Sequence, residues 1–361
     1  MALPLKEAFT ARAIGVNWDN YKASLGEPPY LGRTKFGTRK QEGLDLRFIK
    51  GKNGLPVSLK ASNFDAQAPL RDAIGFSDIQ NEMPFFRESY MVTEKEEQDY
   101  ASYVENADSR YANQVLANIV KKPLDLIRGA NVVPERMIWQ LLAPTDGIPK
   151  ISVVINGSSY VIDYTADNGV AHKADHFSEL TGTDKWSDST NATPLEDLKE
   201  MKKNFAKATG YSLTRFTMNT ETWEMVLAAE DTKKQVLGIT AYNGGIRLED
   251  LDVVRYLNSR GITIEVYDKM YVAEDGTTPY FLPTGIVTAH PDGVFLGDVV
   301  YGTTPEERSG NKTDGSLSIV ETGVSLYTYT TNHPINTHAV VSEIVLPTFE
   351  GMDAVAVMKV S

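Results

Sequence analysis

Hydrophobic positions are widely spaced in the first quarter of the chain, and two short stretches alternate between apolar and polar residues. Residues 44–50 (LDLRFIK) have the period of a half-buried strand. A turn signal follows at residues 51–54 (GKNG), and residues 55–60 (LPVSLK) alternate again. We therefore predict a long charged hairpin within residues 34–83. A lone hairpin is only marginally stable in water, so this one is either the edge of a globular domain or a ribbon that packs on a partner subunit.

Residues 1–33 are rich in small and polar residues and hold three isolated large side chains, Trp18, Tyr21 and Tyr30. The sequence GEPP at residues 26–29 interrupts any helix or central strand. Such a segment has little to bury against itself and needs another surface, on its own domain or on a neighbouring copy. We interpret it as an arm, and we expect a chain without it to fold but not to assemble.

A dense apolar and aromatic strand is predicted at residues 84–93, followed by a long helical pattern. Apolar residues recur at helical spacing between residues 107 and 128. Pro123 is expected to kink or divide this helix, and a second helix starts near Pro134 and stops before Pro144. Residues 107–143 thus form one long, broken spine.

Strands and helices are mixed in the remainder of the chain. Two strands flank Asn156-Gly157, the preferred two-residue hairpin turn, whereas residues 166–192 are polar and predicted to be loop. Residues 193–310 alternate helical and strand patterns, with Asn219 or Thr220 as a helix cap, and residues 322–361 return to strands. The fold class is α+β, and the length suits two or three sub-domains.

Charge and cysteine content exclude several classes of protein. The chain has 36 basic and 48 acidic residues, a net charge of −12, whereas proteins that grip nucleic acid through its phosphates are usually basic. There is no cysteine, which removes disulfides, thiolate nucleophiles and cysteine–zinc sites. Acidity does not exclude a location beside DNA, because an acidic surface that does not adhere to DNA would let it slide.

No catalytic set emerges from the motifs. Phosphate-binding glycine motifs and the GxSxG elbow are absent. His172 and His176 have the i, i+4 spacing of metal ligands on a helix, but this polar segment is expected to be an exposed loop. We therefore predict no catalytic residue, no cofactor and no bound metal.

Two segments carry a resemblance to a known family. Residues 85–90 (FFRESY), followed by residues 93–95 (TEK), resemble a stretch of the lambda-type major capsid proteins of tailed phages. Residues 183–187 (TDKWS) and 193–197 (TPLED) are similar to a second stretch of that family. The order of predicted elements resembles the Hong Kong 97-type phage capsid fold over nearly the whole chain. In the family the FFRESY segment precedes the extended loop, whereas here a charged hairpin precedes that segment. The extended loop is therefore residues 34–83 or partly 91–108, and we favour the former because residues 91–108 are few and acidic.

The resemblance implies a division of the chain and a set of partners. The division is an N-terminal arm at 1–33, an extended loop at 34–83, a peripheral domain at 84–187 with the spine helix, an axial domain at 188–321, and strands at 322–361 that return to the peripheral domain. Copies would form hexamers and pentamers of an icosahedral shell around double-stranded DNA, assembled in the bacterial cytoplasm and found in the virion. A portal protein, a separate scaffolding protein and, optionally, a decoration protein would be partners.

Contacts between copies are expected at the isolated anchors, the charged hairpin and the family motif. The residues concerned are Trp18, Tyr21, Tyr30, Arg39, Lys40, Arg47, Phe48, Lys50, Phe85, Phe86 and Arg87. Three alternatives remain at this point: an encapsulin-like cellular compartment, a phage tail-tube or baseplate protein, and a metal-dependent hydrolase using His172, His176 and an acid.

Overall fold

A computed structural model describes residues 5–51, 76–105, 109–155, 158–165, 169–238, 248–309 and 315–361. The helices are α1 (Leu5–Ala8), α2 (Ala11–Leu25), α3 (Leu31–Lys35), α4 (Glu94–Glu105), α5 (Ser109–Leu142), α6 (Gly169–His176), α7 (Pro194–Thr209), α8 (Thr220–Ala228), α9 (Glu230–Leu237), α10 (Asp250–Asn258) and α11 (Pro305–Ser309). The strands are β1 (Gly37–Lys40), β2 (Asp45–Gly51), β3 (Phe76–Glu82), β4 (Phe85–Val92), β5 (Lys150–Ile155), β6 (Ser158–Asp163), β7 (Phe177–Glu179), β8 (Arg215–Met218), β9 (Thr263–Val266), β10 (Ile286–His290), β11 (Asp298–Tyr301), β12 (Ser316–Glu321), β13 (Val324–Thr330), β14 (Thr337–Pro347) and β15 (Ala356–Lys359).

A six-stranded sheet is built around the long strand β14. One edge of β14 pairs with β13, and the other pairs first with β4 and then with β11. Strand β1 lies parallel to β11, and β12 completes the sheet beyond β13. Because β1 belongs to this sheet, the segment predicted as an extended loop at 34–83 begins inside the domain, and the free ribbon starts only at β2.

Helix α5 packs along this sheet and is not broken at its prolines. Pro123 and Pro134 both lie inside one continuous helix, so the predicted division into two helices is wrong. Residues on both sides of each proline are buried in two hydrophobic cores, and this packing compensates for the lost backbone hydrogen bonds. Despite its length, neither α5 nor any other helix in the described ranges is apolar enough to cross a membrane.

Residues 94–105 form helix α4, so the alternative placement of an extended loop at 91–108 is wrong where the structure describes it. Thr93 and Glu96 cap the start of this helix reciprocally, since the Glu96 carboxylate accepts from the Thr93 N–H and the Thr93 hydroxyl accepts from the Glu96 N–H. Tyr100 is buried against α5, which supplies the apolar surface that a charged helix needs.

A five-stranded sheet with strand order β7-β15-β10-β8-β9 forms the second large unit. It packs with α7, α8 and α10 around a core that includes Phe216, Trp223 and Leu257. The last strand, β15, pairs with β10, so it does not return to the peripheral sheet as predicted. Val355–Met358 are all buried, which is typical of a strand inside a sheet, and β7 and β10 pair with its two edges.

The ribbon of β2 and β3 corrects the predicted hairpin. The alternating residues 44–50 do contain a strand, but its observed partner is residues 76–82. The two strands meet at their base, where the Met83 N–H donates to the carbonyl of Leu44 over 2.8 Å. The turn predicted at 51–54 and the strand predicted at 55–60 fall, apart from Gly51, outside the described residues.

Candidate assembly surfaces

Two of the three predicted anchors, Trp18 and Tyr21, hold α2 against the subunit's own body. Trp18 is buried, and its Nε1 donates to Glu321 over 2.9 Å. Tyr21 donates to Asp125 of α5 over 2.8 Å. Burial alone raises the pKa of Glu321, but hydrogen bonds from Lys22 and Trp18 hold it below its usual value. The Glu321 carboxylate therefore anchors the arm to its own subunit, through a hydrogen bond from Trp18 and an ion pair with Lys22.

The third anchor, Tyr30, packs between two parts of the subunit. Its ring makes an edge contact with Phe281 at 5.9 Å between centroids, and the Lys269 ammonium lies 3.8 Å from its centroid. Burial raises the pKa of Tyr30 to about 12. The Lys269 ammonium also donates to the carbonyl of Pro28, so the break at residues 26–29 is tied down as well.

A fully buried carboxylate, Glu135 of α5, receives the end of the arm. It accepts from the backbone N–H groups of Gly32 and Arg33 at 2.9 and 3.0 Å. It also accepts from Trp139 Nε1 at 2.6 Å and from the Tyr267 hydroxyl at 2.7 Å. Two donors from α3, one from α5 and one from the residue after β9 converge on this carboxylate, and nothing in the helical pattern of the sequence distinguishes Glu135 from a surface glutamate.

Arg39 and Lys40 lie on β1 and form ion pairs within the subunit. Lys40 contacts Glu307 at 2.6 Å, and Arg39 lies 3.7 Å from Asp298. Both side chains remain partly exposed, at 35% for Lys40 and 46% for Arg39. They are thus available at the surface, but their charge is already matched.

The family motif lies on β4, where Phe85 and Arg87 face solvent and Phe86 packs against the core. The Arg87 guanidinium lies 4.6 Å from the centroid of the Phe85 ring and 2.5 Å from Glu306. Successive residues of a strand point to opposite faces, which explains why Phe85 and Arg87 share a face that Phe86 does not. Phe85 and Arg87 form one exposed amphipathic patch.

The ribbon of β2 and β3 is anchored at its base. Leu46 and Met83 are buried in the core, whereas Arg47, which follows Leu46 on β2 and pairs with Gln80 of β3, is exposed. Phe48 and Lys50 lie on the described backbone of β2, but their side chains lie outside the described part of the structure. Within the described ranges, β2 and β3 pair with each other and with no third strand.

Another exposed surface was not predicted. The hairpin of β5 and β6 buries Ile151 and Ile162 against the core but leaves Val154 and Val161 more than half exposed on its opposite face. The adjacent apolar residues Val153 and Val154 were a signal for this, because neighbouring apolar residues on a strand mark two apolar faces. The predicted Asn156-Gly157 turn itself lies outside the described residues.

A buried acid lies beneath the arm. Glu343 of β14 is fully buried, and neither of its carboxylate oxygens has a hydrogen-bond partner within the described residues. Burial raises the pKa of Glu343 to about 8, and the nearby charge of Arg33 opposes this only in part. The guanidinium of Arg33 instead donates to Asn131 at 2.8 Å and to the Tyr301 hydroxyl at 2.6 Å.

The two spaced histidines are not in a loop. His172 and His176 lie on α6, half-buried, with their rings stacked at 4.1 Å between centroids. Ligand atoms of these two residues and of Asp353 lie within 4.8 Å of one another. The prediction of exposed loop histidines is therefore wrong. The short helix packs against α7 through a contact between the rings of His176 and Phe205, which the sequence pattern does not show.

Comparison with known proteins gives the family. The sequence profile described as Phage major capsid protein E matches residues 23–322, which is most of the chain. The chain belongs to this family of phage major capsid proteins. No curated protein sequence matches this capsid protein significantly.

Solved structures similar to the capsid protein support the fold. One described as a prophage capsid protein from Escherichia coli CFT073 has a TM-score of 0.54 at 13% identity and covers 100% of both chains. A phage-related protein of Bordetella bronchiseptica RB50 has a TM-score of 0.49 at 12% identity, with 96% and 95% of the two chains covered. The capsid of cyanophage A-1(L) has a TM-score of 0.48 at 13% identity, with 92% of each chain covered.

At such low identities these similarities concern the fold, and the prophage protein, with the highest TM-score of the three, carries that comparison. The mixed helix and sheet architecture is the Hong Kong 97-type fold that the family resemblance implied. The family match also decides against the tail-tube and baseplate alternatives. It favours a phage capsid over an encapsulin-like compartment, which would share the fold.

Proposed function

We propose that copies of this capsid protein form hexamers and pentamers of an icosahedral shell around double-stranded DNA, and that the β2–β3 ribbon lies over a neighbouring copy. The ribbon is the observation that carries this proposal. It has a buried base at Leu46 and Met83, an exposed charge at Arg47, and no third strand in the described ranges. A two-stranded ribbon gains stability from a surface that its own subunit does not supply.

The exposed patches identified above complement the ribbon in this proposal. Val154 and Val161 form an apolar surface on the β5–β6 hairpin, and Phe85 with Arg87 forms an amphipathic one on β4. Rings of six or five subunits need two different, complementary surfaces on each copy, because head-to-tail contacts close by rotation. The ribbon and these patches lie on different elements, as such contacts require.

The anchors of the arm have another role in this proposal. Trp18, Tyr21 and Tyr30 hold the arm on its own subunit. They therefore act on assembly indirectly, because they fix the segment that leads through α3 and β1 to the ribbon.

The charge of the chain fits enclosure of DNA without adhesion to it. A net charge of −12 leaves little surface that would bind phosphate strongly, and we expect the inner face to be neutral or acidic. A portal protein, a separate scaffolding protein and an optional decoration protein are the partners in this proposal. Assembly would take place in the bacterial cytoplasm, and the mature location would be the virion.

Electron microscopy of the full-length protein, produced in bacteria with and without a co-expressed scaffolding protein, tests the proposal. We expect closed isometric particles with hexameric and pentameric clusters, and mature particles should contain double-stranded DNA. The Arg47→Glu variant should give soluble subunits without shells, whereas the matched Arg47→Lys variant, which keeps the charge, should give normal shells.

Wild-type protein that forms open tubes, or shells that are filled with protein and lack DNA when isolated from phage-producing cells, would contradict the proposal. Normal shells from Arg47→Glu would leave the shell itself intact but remove the assigned role of the ribbon. Denaturing electrophoresis of the same particles would show whether subunits are also joined covalently.

A further inference from the structure

The histidine pair of α6 faces the short helical turn that precedes β15. His172 and His176 lie four residues apart on one face of the helix, and the turn Met352–Ala354 brings Asp353 to them. One ligand atom from each of the three residues lies within 4.8 Å of the other two. Two imidazoles and a carboxylate form the donor set of many zinc sites.

Both ring nitrogens of His176 face backbone carbonyl oxygens. Nδ1 lies 3.0 Å from the oxygen of His172, and Nε2 lies 3.3 Å from the oxygen of Asp353. A neutral imidazole has only one N–H group, so only one of these contacts can be a hydrogen bond. The other places a nitrogen lone pair against an oxygen lone pair, unless a second proton or a cation lies there.

The arrangement favours a cation at Nε2. A bond from Nδ1–H to a backbone carbonyl is the usual way in which a ligating histidine is oriented, and it leaves Nε2 free to bind. Two ligands of a tetrahedral zinc ion with bonds of about 2.0–2.1 Å are about 3.4 Å apart. The ligand atoms of His172, His176 and the Asp353 carboxylate lie within 4.8 Å of one another, so they need to draw together by no more than about 1.4 Å to reach that spacing.

We propose that His172, His176 and Asp353 form a binding site for a divalent transition-metal ion of the zinc class, which joins α6 to the turn before β15. Nitrogen donors select such ions over magnesium and calcium. A bound ion lies in the plane of each imidazole, so the stacked rings open by rotating about their side-chain bonds when they bind it.

The position of the site suggests a structural role. His176 contacts Phe205 in the core of the five-stranded sheet. The next residue, Phe177, is the first of β7, and it is paired with Val357 of β15. Phe177 also packs against the core beneath α5. An ion at this point therefore fastens a short helix to the C-terminal strand where the two main cores meet.

The test uses the full-length, unassembled protein without a polyhistidine tag, freed of metal with a chelator. Titration with Zn²⁺ by calorimetry, and with Co²⁺ by visible absorption, should show one ion per chain. The variants His172→Gln, His176→Gln and Asp353→Asn should each weaken Zn²⁺ binding by more than about tenfold, the loss that follows even when a supporting partner of a metal ligand is removed. His333→Gln, at an exposed histidine, is the matched control and should bind as the parent does.

Thermal unfolding gives a second readout. Zn²⁺ should raise the unfolding temperature of the parent and of His333→Gln, but not that of His172→Gln. If His176→Gln does not fold by circular dichroism, the other two variants decide the question. The proposal is overturned if the parent binds no stoichiometric ion, or if His172→Gln and Asp353→Asn bind Zn²⁺ as tightly as the parent.

Discussion

The arm at the start of the chain and the ribbon that follows it are similar in sequence but differ in where their side chains go. Both are polar segments with a few isolated large residues. In the arm, Trp18 and Tyr30 are packed, and Glu135 accepts two backbone hydrogen bonds from its last turn. In the ribbon, Leu46 and Met83 are packed and Arg47 faces solvent.

The difference shows that a lack of local hydrophobic residues does not identify a free segment. The arm is part of the subunit because α5, β12 and Lys269 offer it matched polar partners. The ribbon has no such partners in the described ranges beyond its base. We therefore propose the ribbon, and not the arm, as the segment that contacts a neighbouring copy.

Of the changes that compare the arm with the ribbon, deleting residues 1–33 should have the largest effect on folding. The sequence alone suggests that such a chain folds, but the deletion removes Trp18 and Arg33 and exposes the core that they cover. We expect loss of cooperative unfolding and insoluble protein, because the total stability of a domain is only about 5–15 kcal/mol. Circular dichroism and sedimentation of the truncated protein check this, and a soluble, cooperatively folded product would return the arm to the role of a free segment.

Replacing Glu135 should be the most damaging single change. Glu135→Ala leaves four buried donors without an acceptor and removes the charge beside Arg33, so we expect the free energy of unfolding to fall by about 3–5 kcal/mol. Denaturant titration measures this. Glu224→Ala, at an exposed helical position, is the control and should change the free energy by less than about 0.5 kcal/mol. Equal losses in the two variants would contradict the role of Glu135.

The acid beneath the arm should make stability fall as pH rises. Burial raises the pKa of Glu343 from 4.5 to about 8. Between these values the unfolded chain releases a proton that the folded chain retains, so folding loses about 1.4 kcal/mol per pH unit, or about 3 kcal/mol between about pH 5 and pH 7.5. Unfolding measured across this range should show the slope in the wild type, and Glu343→Gln should flatten it.

Glu88→Gln, on the paired strand β4 and exposed, is the control for Glu343 and should retain the wild-type slope. A Glu343→Gln variant whose stability still falls over this range would place the titrating group elsewhere.

Two glycines test how closely the arm approaches α5. A Cβ at Gly32 would lie 2.9 Å from both Glu135 Oε2 and Ile138 Cγ2, so Gly32→Ala should cost about 1–3 kcal/mol of unfolding free energy. Gly129 lies inside α5 with no atom within 4 Å of an added Cβ, so Gly129→Ala should stabilise the protein by about 0.5–1 kcal/mol. Thermal unfolding of both variants should therefore shift in opposite directions, and a shared direction would argue against the close contact.

A change at an exposed residue of the ribbon should have the smallest effect on the free energy of unfolding of the isolated subunit. Arg47→Glu changes an exposed residue and should alter the free energy of unfolding by less than about 0.5 kcal/mol, although it prevents shell formation in our proposal. Its neighbour Leu46 is fully buried, and Leu46→Ala should cost about 2–5 kcal/mol. Denaturant titration of both variants checks this contrast, which fails if Arg47→Glu destabilises the subunit as much as Leu46→Ala does.

Periodic patterns in the sequence were enough to predict the spine, the strand at β4, the β5–β6 hairpin and the helix that begins after Asn219. Each depends on interactions between residues close in the chain, such as the Asn219 side chain that accepts from the Thr222 N–H. The motif at residues 85–90 was enough to suggest the family that the sequence profile established.

Only the tertiary structure decided which distant segments meet. It paired residues 45–51 with residues 76–82 and placed the last strand beside β10. It also brought Glu135 to the arm and Asp353 to the histidines of α6. Pairings of this kind depend on chain topology and on the shape of the surface that each segment meets. Local periodicity carries neither, which is why the sequence by itself determined the elements and the family but not the contacts between them.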